Sequence, residues 1–187
     1  MKHLLRKELI EKRISLSEKD VIEKSNKIKK QLFGTNEFKQ ASTILFYVSY
    51  NNEVNTHQMI KDALLLGKNV IVPISKKQDR SLILSKLEKW EDLEIGSYGV
   101  LEPRAESLIE ISIDEINLII VPGIGFDKNG NRIGHGKGYY DTLLKKAKNA
   151  LHIGLAFEIQ IVKKIPIERH DFPVKKIITE NRIINCF

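Results

Sequence analysis

The sequence has few of the residues that define several large classes of protein. Its one cysteine, Cys186, excludes an intrachain disulfide and a metal site built from several cysteines. Unbroken apolar runs such as residues 44–48 hold about five residues, far fewer than the ~20 that a membrane-spanning helix needs. The start of the chain is too densely charged for a signal peptide. These absences predict a reduced, cytoplasmic protein with no membrane as a partner.

The remaining composition is that of a compact domain with excess positive charge. The chain has 187 residues, of which 42% are hydrophobic, and Lys and Arg exceed Asp and Glu by 31 to 24. A chain of this length can bury roughly 70% of its surface, so we expect one domain over residues 1–187. The net charge of +7 favours anionic partners, but no RNA-recognition or zinc-finger motif accompanies it. Charge alone therefore leaves open whether the partner is a nucleic acid, a membrane surface or a small anion.

Helix and strand patterns alternate along the chain. Apolar residues recur at helical spacing near the N terminus, and Ser17, followed by Asp20, is typical of the start of a second helix. Further helices are predicted over residues 56–66 and 139–148. Buried strands are predicted at residues 43–49, 69–74, 117–122, 151–156 and 176–179, with a half-buried edge strand at Ser81–Leu87. This alternation predicts the α/β class, as a single three-layer domain with a mostly parallel central sheet and helices on both faces.

The segment at residues 121–141 has the residues expected of a phosphate-binding site. It follows a predicted buried strand, so we expect it at the carboxyl edge of a parallel sheet, where ligands bind. Three alternating glycines let backbone N–H groups approach an anion closely, and the helix that follows adds its positive end. Two cations and a carboxylate, a ligand that Mg²⁺ favours, complete the set. The glycines are Gly134, Gly136 and Gly138, the cations are Arg132 and Lys137, and the carboxylate is Asp141.

The spacing of this segment differs from both common phosphate-binding motifs. A Walker loop has Ser or Thr after its Gly-Lys pair, whereas Gly138 follows Lys137 here. The dinucleotide-binding motif G-x-G-x-x-G would need its third glycine one position later. A flexible turn without function is the remaining alternative, and it does not account for alternating glycines beside two cations and a Tyr-Tyr-Asp sequence. We therefore interpret the segment as a phosphate-binding site of a third kind.

Residues 122–141, PGIGFDKNGNRIGHGKGYYD, resemble the signature of the 5-formyltetrahydrofolate cyclo-ligase family, also called the methenyltetrahydrofolate synthetases. Weaker blocks resemble the same family in the same order. They are the K-x-x-L-R start at residues 2–6, the segment at 47–56, the G-x-x-E-P loop within 98–103 and the closing segment at 166–180. The resemblance spans nearly the whole chain and implies a NagB/RpiA/CoA-transferase-like α/β fold.

The resemblance also implies a reaction. It indicates an ATP- and Mg²⁺-dependent ligase that closes 5-formyltetrahydrofolate to 5,10-methenyltetrahydrofolate and releases ADP and phosphate. The formyl oxygen attacks the γ-phosphate of the co-substrate ATP, and N10 then closes on the activated carbon as phosphate leaves. This chemistry needs alignment and charge neutralisation, and it needs no protein nucleophile. Small molecules are therefore the expected partners, with no nucleic acid, and both a monomer and a homodimer stay open.

Residues at matching positions receive the roles that the resemblance implies. Lys2 and Arg6 share a helix face and would reach phosphates, Glu53 would accept hydrogen bonds from pterin N–H groups, and Tyr98 would stack on the ring. The implied ATP-binding residues are Lys2, Arg6, Arg132, Gly134, His135, Gly136, Lys137, Gly138, Tyr139 and Tyr140. The implied catalytic residues are Arg132, Lys137 and Tyr139. The implied substrate-binding residues are Val48, Glu53, Tyr98 and Tyr139, and the implied Mg²⁺ ligands are Asp141 and Asp171.

Several residues keep a second interpretation. Lys7, Lys12 and Arg13 fit an ordinary exposed helix face, Asp127 fits a turn former, and one of the two adjacent tyrosines fits a core position. Asn55 stands where the family usually has Asp, which is compatible with capping the following helix or with a different substrate. The functional alternatives are thus a relative with the same ATP site that acts on another pterin or small acid, and a non-catalytic nucleotide- or RNA-binding module.

Overall fold

The computed structural model describes residues 2–186 as helices packed on a central β-sheet. The α-helices are α1 (Lys2–Ile14), α2 (Glu18–Gly34), α3 (Asn36–Gln40), α4 (His57–Leu65) and α5 (Tyr139–Lys146). The strands are β1 (Thr43–Leu45), β2 (Asn69–Lys76), β3 (Ser81–Leu87), β4 (Leu93–Ile95), β5 (Leu101–Pro103), β6 (Leu118–Val121), β7 (Gly125–Asp127), β8 (Arg132–Ile133), β9 (Leu151–Leu155), β10 (Ile161–Val162), β11 (Lys176–Ile178) and β12 (Ile183–Asn185). Within residues 2–186, none of the helices combines the length and the apolar character of a membrane-spanning segment.

Seven of the strands form the central sheet, in the order β12-β11-β9-β6-β1-β2-β3. The five inner strands run parallel to one another. Strands β3 and β12 pair antiparallel with their neighbours at the two edges. The predicted mostly parallel sheet and the predicted edge position of Ser81–Leu87 are therefore confirmed.

Successive side chains of the inner strands pack against two different layers of helices. In β2, Val70 joins a cluster with Ile28 of α2 and Ile60 of α4. The next residue, Ile71, joins a second cluster with Leu144 of α5. Both faces of a parallel sheet are thus buried, as expected for strands that read as continuous apolar runs. The predicted three-layer α/β arrangement is confirmed.

Side chains accept hydrogen bonds from backbone N–H groups at the start of two helices. The hydroxyl of Ser17 accepts the Asp20 N–H at 3.1 Å, and the Asp20 carboxylate accepts the Ser17 N–H at 3.3 Å. The predicted capping pair of α2 is therefore confirmed. At α4 the N-cap residue is Thr56, whose side chain forms no capping hydrogen bond, and the preceding Asn55 accepts the N–H of His57 with its Oδ1 at 2.9 Å, which is compatible with a role at the start of this helix.

Three short stretches differ from the prediction. Residues 46–49 are buried but lie beyond β1, because the Thr56 hydroxyl donates to Tyr47 O at 2.6 Å and accepts the Ser49 N–H at 3.0 Å. Residues 101–103, predicted as a loop, form β5 and pair with β4. The predicted long glycine-rich loop contains the antiparallel pair β7–β8. Strands of two or three residues are too short to produce a periodic pattern, which is why the sequence did not predict them.

Candidate functional site

The N-terminal helix packs against the segment that carries the predicted phosphate-binding residues. Leu9 of α1 is fully buried and lies in one cluster with Ile124, Ile133 and Ile165. Residues three, four and seven positions from Leu9 share its face of the helix. The cations at those positions are Lys2, Arg6, Lys12 and Arg13, and of these four Lys12 is the exposed one. Helix α1 therefore brings three cations to the side of the β7–β8 hairpin.

A buried carboxylate builds the turn of this hairpin. Asp127 is fully buried, and its Oδ1 accepts the N–H groups of Asn129 at 3.0 Å and Asn131 at 3.1 Å. Its Oδ2 accepts the N–H of Ile165 at 2.9 Å. The interpretation of Asp127 as a turn former is confirmed, and the turn sets Arg132 at the start of β8.

Each of the three glycines has its own structural reason. Gly136 and Gly138 have φ angles of 83° and 76°, which residues with a Cβ rarely adopt. Gly138 is also the N-cap of α5, where no side chain caps the first turn, so N–H groups of the helix start are available to another acceptor. A Cβ on Gly134 would lie 2.7 Å from Nη1 of Arg132. Only small residues permit this path of the chain.

Two arginines hold the glycine segment, residues 134–138. Nη2 of Arg132 donates to Asp141 Oδ1 at 2.8 Å, and the Arg132 guanidinium lies 5.8 Å from the centroid of the Tyr140 ring. From α1, Nε of Arg6 donates to Gly134 O at 2.9 Å. Charge-assisted hydrogen bonds of this kind are among the stronger ones in proteins. The structure therefore brings Arg6 and Arg132, both predicted to bind ATP, to the segment predicted to bind its phosphates.

The two carboxylates predicted as Mg²⁺ ligands lie on neighbouring stretches of chain. Asp171 Oδ2 accepts from Lys2 Nζ at 2.6 Å and from the Glu168 N–H at 2.8 Å. Partial burial raises the pKa of Asp171, but these hydrogen bonds outweigh burial and hold that pKa below its ordinary value. Asp141 Oδ1 accepts the N–H of Phe172, the residue after Asp171, at 3.4 Å. Each of the two carboxylates thus has a predicted ATP-binding cation as a partner.

The ligand chemistry around Asp171 decides which metal fits. Glu168, His170 and Asp171 each offer one ligand atom, and these atoms lie within 4.8 Å of one another. Glu168 and His170 are exposed, and an imidazole is not a ligand that Mg²⁺ prefers. Asp141 and Asp171 together provide carboxylate oxygens only. This oxygen pair fits Mg²⁺ better than the exposed cluster does.

Tyr98 lies between two lysines from different parts of the chain. Nζ of Lys137 is 3.2 Å from the centroid of the Tyr98 ring, and Nζ of Lys77 is 4.7 Å from it. Hydrogen bonds with Lys137 and, secondly, with Tyr139 lower the pKa of Tyr98 below its ordinary value. The structure thus brings the predicted substrate residue Tyr98 to the predicted catalytic residues Lys137 and Tyr139. Lys77 was not predicted, because its Lys-Lys sequence resembles the other scattered lysine pairs.

Glu53 lies between α1 and the glycine segment. Its Oε2 accepts the Tyr50 N–H at 3.0 Å. Its Oε1 is 4.0 Å from Arg13 Nη1 and 3.7 Å from His135 Nε2. The Glu53 side chain is 15% exposed. Glu53, predicted to bind the substrate, and His135, predicted to bind ATP, are therefore neighbours.

Val48 and Arg13 are buried, and Tyr140 is partly buried. Val48 is 4% exposed and belongs to the core, so its predicted contact with substrate stays a prediction. Tyr140 packs against both core clusters and is the inward-pointing one of the two adjacent tyrosines. Arg13 is only 5% exposed, so the prediction of an exposed position for it is wrong. The signal for its burial was its place four residues after Leu9, on the inward face of α1.

Unpaired polar atoms concentrate in this part of the molecule. Among residues 2–186, five buried side-chain nitrogen or oxygen atoms have no hydrogen-bond partner. Four of them are Nε and Nη1 of Arg13, Nε of Arg132 and Oη of Tyr140, and the fifth is Nδ1 of His152. Because burying an unpaired polar group costs free energy, such atoms are rare in native proteins. Four in one region indicate a site that a ligand completes.

The fold and the site define an α/β protein in which the glycine segment, predicted to bind phosphate, lies beside the Glu53 carboxylate. The chain matches the model of the 5-formyltetrahydrofolate cyclo-ligase family over residues 1–180. It is 31% identical to the 5-formyltetrahydrofolate cyclo-ligase of Mus musculus, over 95% of this chain and 92% of that relative. It is 32% identical to the 5,10-methenyltetrahydrofolate synthetase of Aquifex aeolicus, with a TM-score of 0.87 over 98% of this chain and 92% of the other. The chain belongs to the 5-formyltetrahydrofolate cyclo-ligase family.

A more distant structure agrees with the fold. The 5,10-methenyltetrahydrofolate synthetase of Mycoplasma pneumoniae is 23% identical, with a TM-score of 0.78 over 96% of this chain and 98% of the other. The predicted family, the α/β class and the ligase class of enzyme are confirmed. The NagB/RpiA/CoA-transferase-like label, the single-domain organisation and the roles of individual site residues stay predictions. So do the cytoplasmic location and the choice between monomer and homodimer.

Proposed function

We propose that this chain catalyses the ATP- and Mg²⁺-dependent closure of 5-formyltetrahydrofolate to 5,10-methenyltetrahydrofolate, with release of ADP and phosphate. The observation that carries the proposal is the group of unpaired buried atoms in Arg13, Arg132 and Tyr140. These atoms lie among the residues predicted to bind ATP and folate, and the two substrates would supply hydrogen-bond partners there. Membership of the cyclo-ligase family supports the same reaction.

The glycine segment is the proposed site of the ATP phosphates. The start of α5 offers backbone N–H groups and the positive end of the helix dipole next to Gly138. Lys137 adds an exposed cation from the segment itself. Arg6 and Lys2 add two more from α1, where Arg6 already contacts Gly134 at 2.9 Å. These groups neutralise phosphate charge without a Walker motif.

The Glu53 carboxylate is the proposed acceptor for the amino and amide N–H groups of the pterin. A carboxylate can accept about four hydrogen bonds, and the contacts of Oε1 with Arg13 and His135, at 4.0 and 3.7 Å, are longer than hydrogen bonds. Tyr98 is 46% exposed, so part of its ring is available to the flat region of the substrate. The substrate would therefore lie between Glu53 and Tyr98.

The proposed reaction needs alignment more than it needs reactive side chains. The formyl oxygen attacks the γ-phosphorus, the bond from that phosphorus to the β–γ bridging oxygen breaks, and ADP leaves with the electron pair. N10 then bonds to the activated formyl carbon and loses its proton, and the bond from that carbon to the phosphate oxygen breaks. Lys137 neutralises charge on the transferring phosphoryl group. Arg132 and Tyr139 hold the segment and the Tyr98 ring around the reacting atoms.

Asp141 and Asp171 are the proposed Mg²⁺ ligands. Mg²⁺ held there would neutralise negative charge on the β- and γ-phosphate oxygens. The two carboxylates accept hydrogen bonds from Arg132 and Lys2, at 2.8 and 2.6 Å. These contacts orient both carboxylates before a metal ion binds.

The test combines purified protein with 5-formyltetrahydrofolate, ATP and Mg²⁺ and follows the absorbance of the methenyl product. We expect absorbance to rise only when all three are present, and chelation of the metal to stop it. Binding of ATP without turnover would favour a relative that acts on another pterin or small acid. Salt-sensitive RNA binding without ATP hydrolysis would favour the nucleic-acid-binding alternative. The hydrogen bond from the His57 N–H to Asn55 Oδ1 gives Asn55 a structural role at the start of α4 that needs no change of substrate.

A further inference from the structure

Arg13 is a buried cation outside the K-x-x-L-R block. It is 5% exposed, and its Nη1 lies 4.0 Å from Glu53 Oε1, which is beyond hydrogen-bond distance. Its Nε and Nη1 have no hydrogen-bond partner among residues 2–186. The backbone around it is well anchored, since the Nδ2 atom of Asn52 donates to the carbonyl of Arg13 at 3.4 Å. The 4.0 Å separation of Arg13 Nη1 from Glu53 Oε1 is therefore set by the positions of the two side chains.

Arg13 and Glu53 form an open pair, that is, two opposite charges too far apart for a hydrogen bond. This arrangement is unfavourable for the stability of the fold. A buried guanidinium with unpaired N–H groups costs free energy, and a closed charge-assisted hydrogen bond would recover part of that cost. Other cations in the chain form closed pairs. Lys2, Lys24 and Lys29 each lie 2.6 Å from a carboxylate oxygen. The pairs Lys7–Glu11 and Lys19–Glu23 are also long, at 4.0 and 3.8 Å, but their side chains are exposed. The gap between Arg13 and Glu53 differs in that both side chains are largely buried.

An open pair keeps the Glu53 carboxylate available to a ligand. A positive charge 4.0 Å away compensates the charge of a carboxylate that is 15% exposed. At that distance Arg13 does not occupy the acceptor positions of Oε1. A flat ring with adjacent N–H donors, such as the amino and amide edge of a pterin, is the kind of ligand that such a carboxylate accepts.

We propose that Arg13 is a positioning residue, which holds the Glu53 carboxylate open for the donor edge of the substrate ring. The identity of that ring rests on the proposed function, but the effect of Arg13 on fold stability does not. Arg13 therefore raises affinity for the folate substrate, while its unpaired N–H groups make the protein less stable than a closed pair at the same place would.

The first experiment replaces Arg13 with methionine, an apolar residue of comparable length. We expect the Kd for 5-formyltetrahydrofolate, measured by calorimetry, to rise about ten- to a hundredfold, and the Kd for ATP to change less than about twofold. Tm is compared in a Glu53→Gln background, where Arg13 has no counter-charge at position 53, and Arg13→Met should there leave Tm level or raise it because a buried unpaired charge is removed. Arg13→Lys, which keeps the charge, should restore part of the folate affinity. Lys12→Met is the matched control, since Lys12 is an exposed cation of α1 paired with Glu8 at 2.6 Å, and both Kd values should stay within about twofold.

A double-mutant cycle tests whether Arg13 acts through Glu53. In a Glu53→Gln background, Arg13→Met should change the folate Kd by less than about twofold. A Tm that falls on Arg13→Met in that Glu53→Gln background would overturn the proposal and identify a structural role. An unchanged folate Kd, or an equal loss of ATP affinity, would overturn it as well. If the wild-type protein binds 5-formyltetrahydrofolate but does not convert it, the proposed function fails while these binding and stability results still decide the role of Arg13.

Discussion

Replacing Lys137 with alanine separates a role at the phosphoryl group from a role in the fold. Lys137 is exposed, and its Nζ lies 3.2 Å from the centroid of the Tyr98 ring. Loss of an exposed cation–π contact costs about 0.5–1 kcal/mol of stability. Loss of a positioned cation from a developing charge costs about 3 kcal/mol of transition-state stabilisation, or roughly a hundredfold in kcat. The two roles therefore differ in the measurement that they affect.

Lys77→Ala is the matched control for this experiment. Nζ of Lys77 lies 4.7 Å from the centroid of the same ring, but Lys77 directly follows β2 and is not part of the glycine segment. The assay measures kcat from methenyl formation at saturating substrates, and urea denaturation measures the free energy of unfolding. We expect Lys137→Ala to lose roughly a hundredfold in kcat with less than about 1 kcal/mol in stability, and Lys77→Ala to keep kcat within about threefold. Equal losses of kcat in the two variants, or no loss in Lys137→Ala, would refute the place of Lys137 at the γ-phosphate.

Two further changes test the surroundings of the site. Because the folded-state pKa of Asp171 is lowered, its stabilising effect is present above the ordinary value of 3.8 and is lost as pH falls through the folded value. Asp171→Asn should thus lower the free energy of unfolding at pH 7 by at most about 1 kcal/mol and have a smaller effect as pH falls below 3.8, and a loss that does not change with pH would contradict this. Gly138→Ala places a Cβ at a φ of 76° and should cost about 1–2 kcal/mol in urea denaturation. Gly34→Ala, where a Cβ meets nothing within 4 Å, should cost nothing, and equal results for the two glycines would exclude backbone strain as the cause.

The sequence predicted the main sheet because its inner strands are short apolar runs that both helix layers bury. Strands β2, β6 and β9 lie within or nearly within their predicted ranges. The first strand ended early because the Thr56 hydroxyl, seven and nine residues after Ser49 and Tyr47, forms hydrogen bonds with their backbone groups. The β7–β8 hairpin was missed for a similar reason. It depends on the buried Asp127 carboxylate, and its strands are too short for a periodic signal.

Residue types were sufficient to locate the glycine segment, but they did not reveal its partners. Alternating glycines between cations are visible in one stretch of sequence, because backbone path and charge are local properties there. The contact of Lys2 with Asp171 joins residues 169 positions apart, and tertiary packing alone creates it. Arg13 and Lys12 are adjacent cations on one helix, yet one is buried and the other exposed. Their difference depends on where Leu9 packs, which becomes visible once the hairpin is in place.

The two ends of the proposed site carry different kinds of charge pair, and the chemistry of the two substrates explains why. At the phosphate end, Lys2 and Arg132 form closed pairs with Asp171 and Asp141, at 2.6 and 2.8 Å. ATP with Mg²⁺ brings charges of both signs, so cations and carboxylates held in closed pairs can each find a new partner of opposite sign. A pterin edge is neutral and brings hydrogen-bond donors and acceptors alone. If Arg13 were hydrogen-bonded to Glu53, the pterin edge would have to displace it, and the neutral edge would bring no charge to replace the lost ion pair. An open pair is therefore the arrangement that suits the pterin edge.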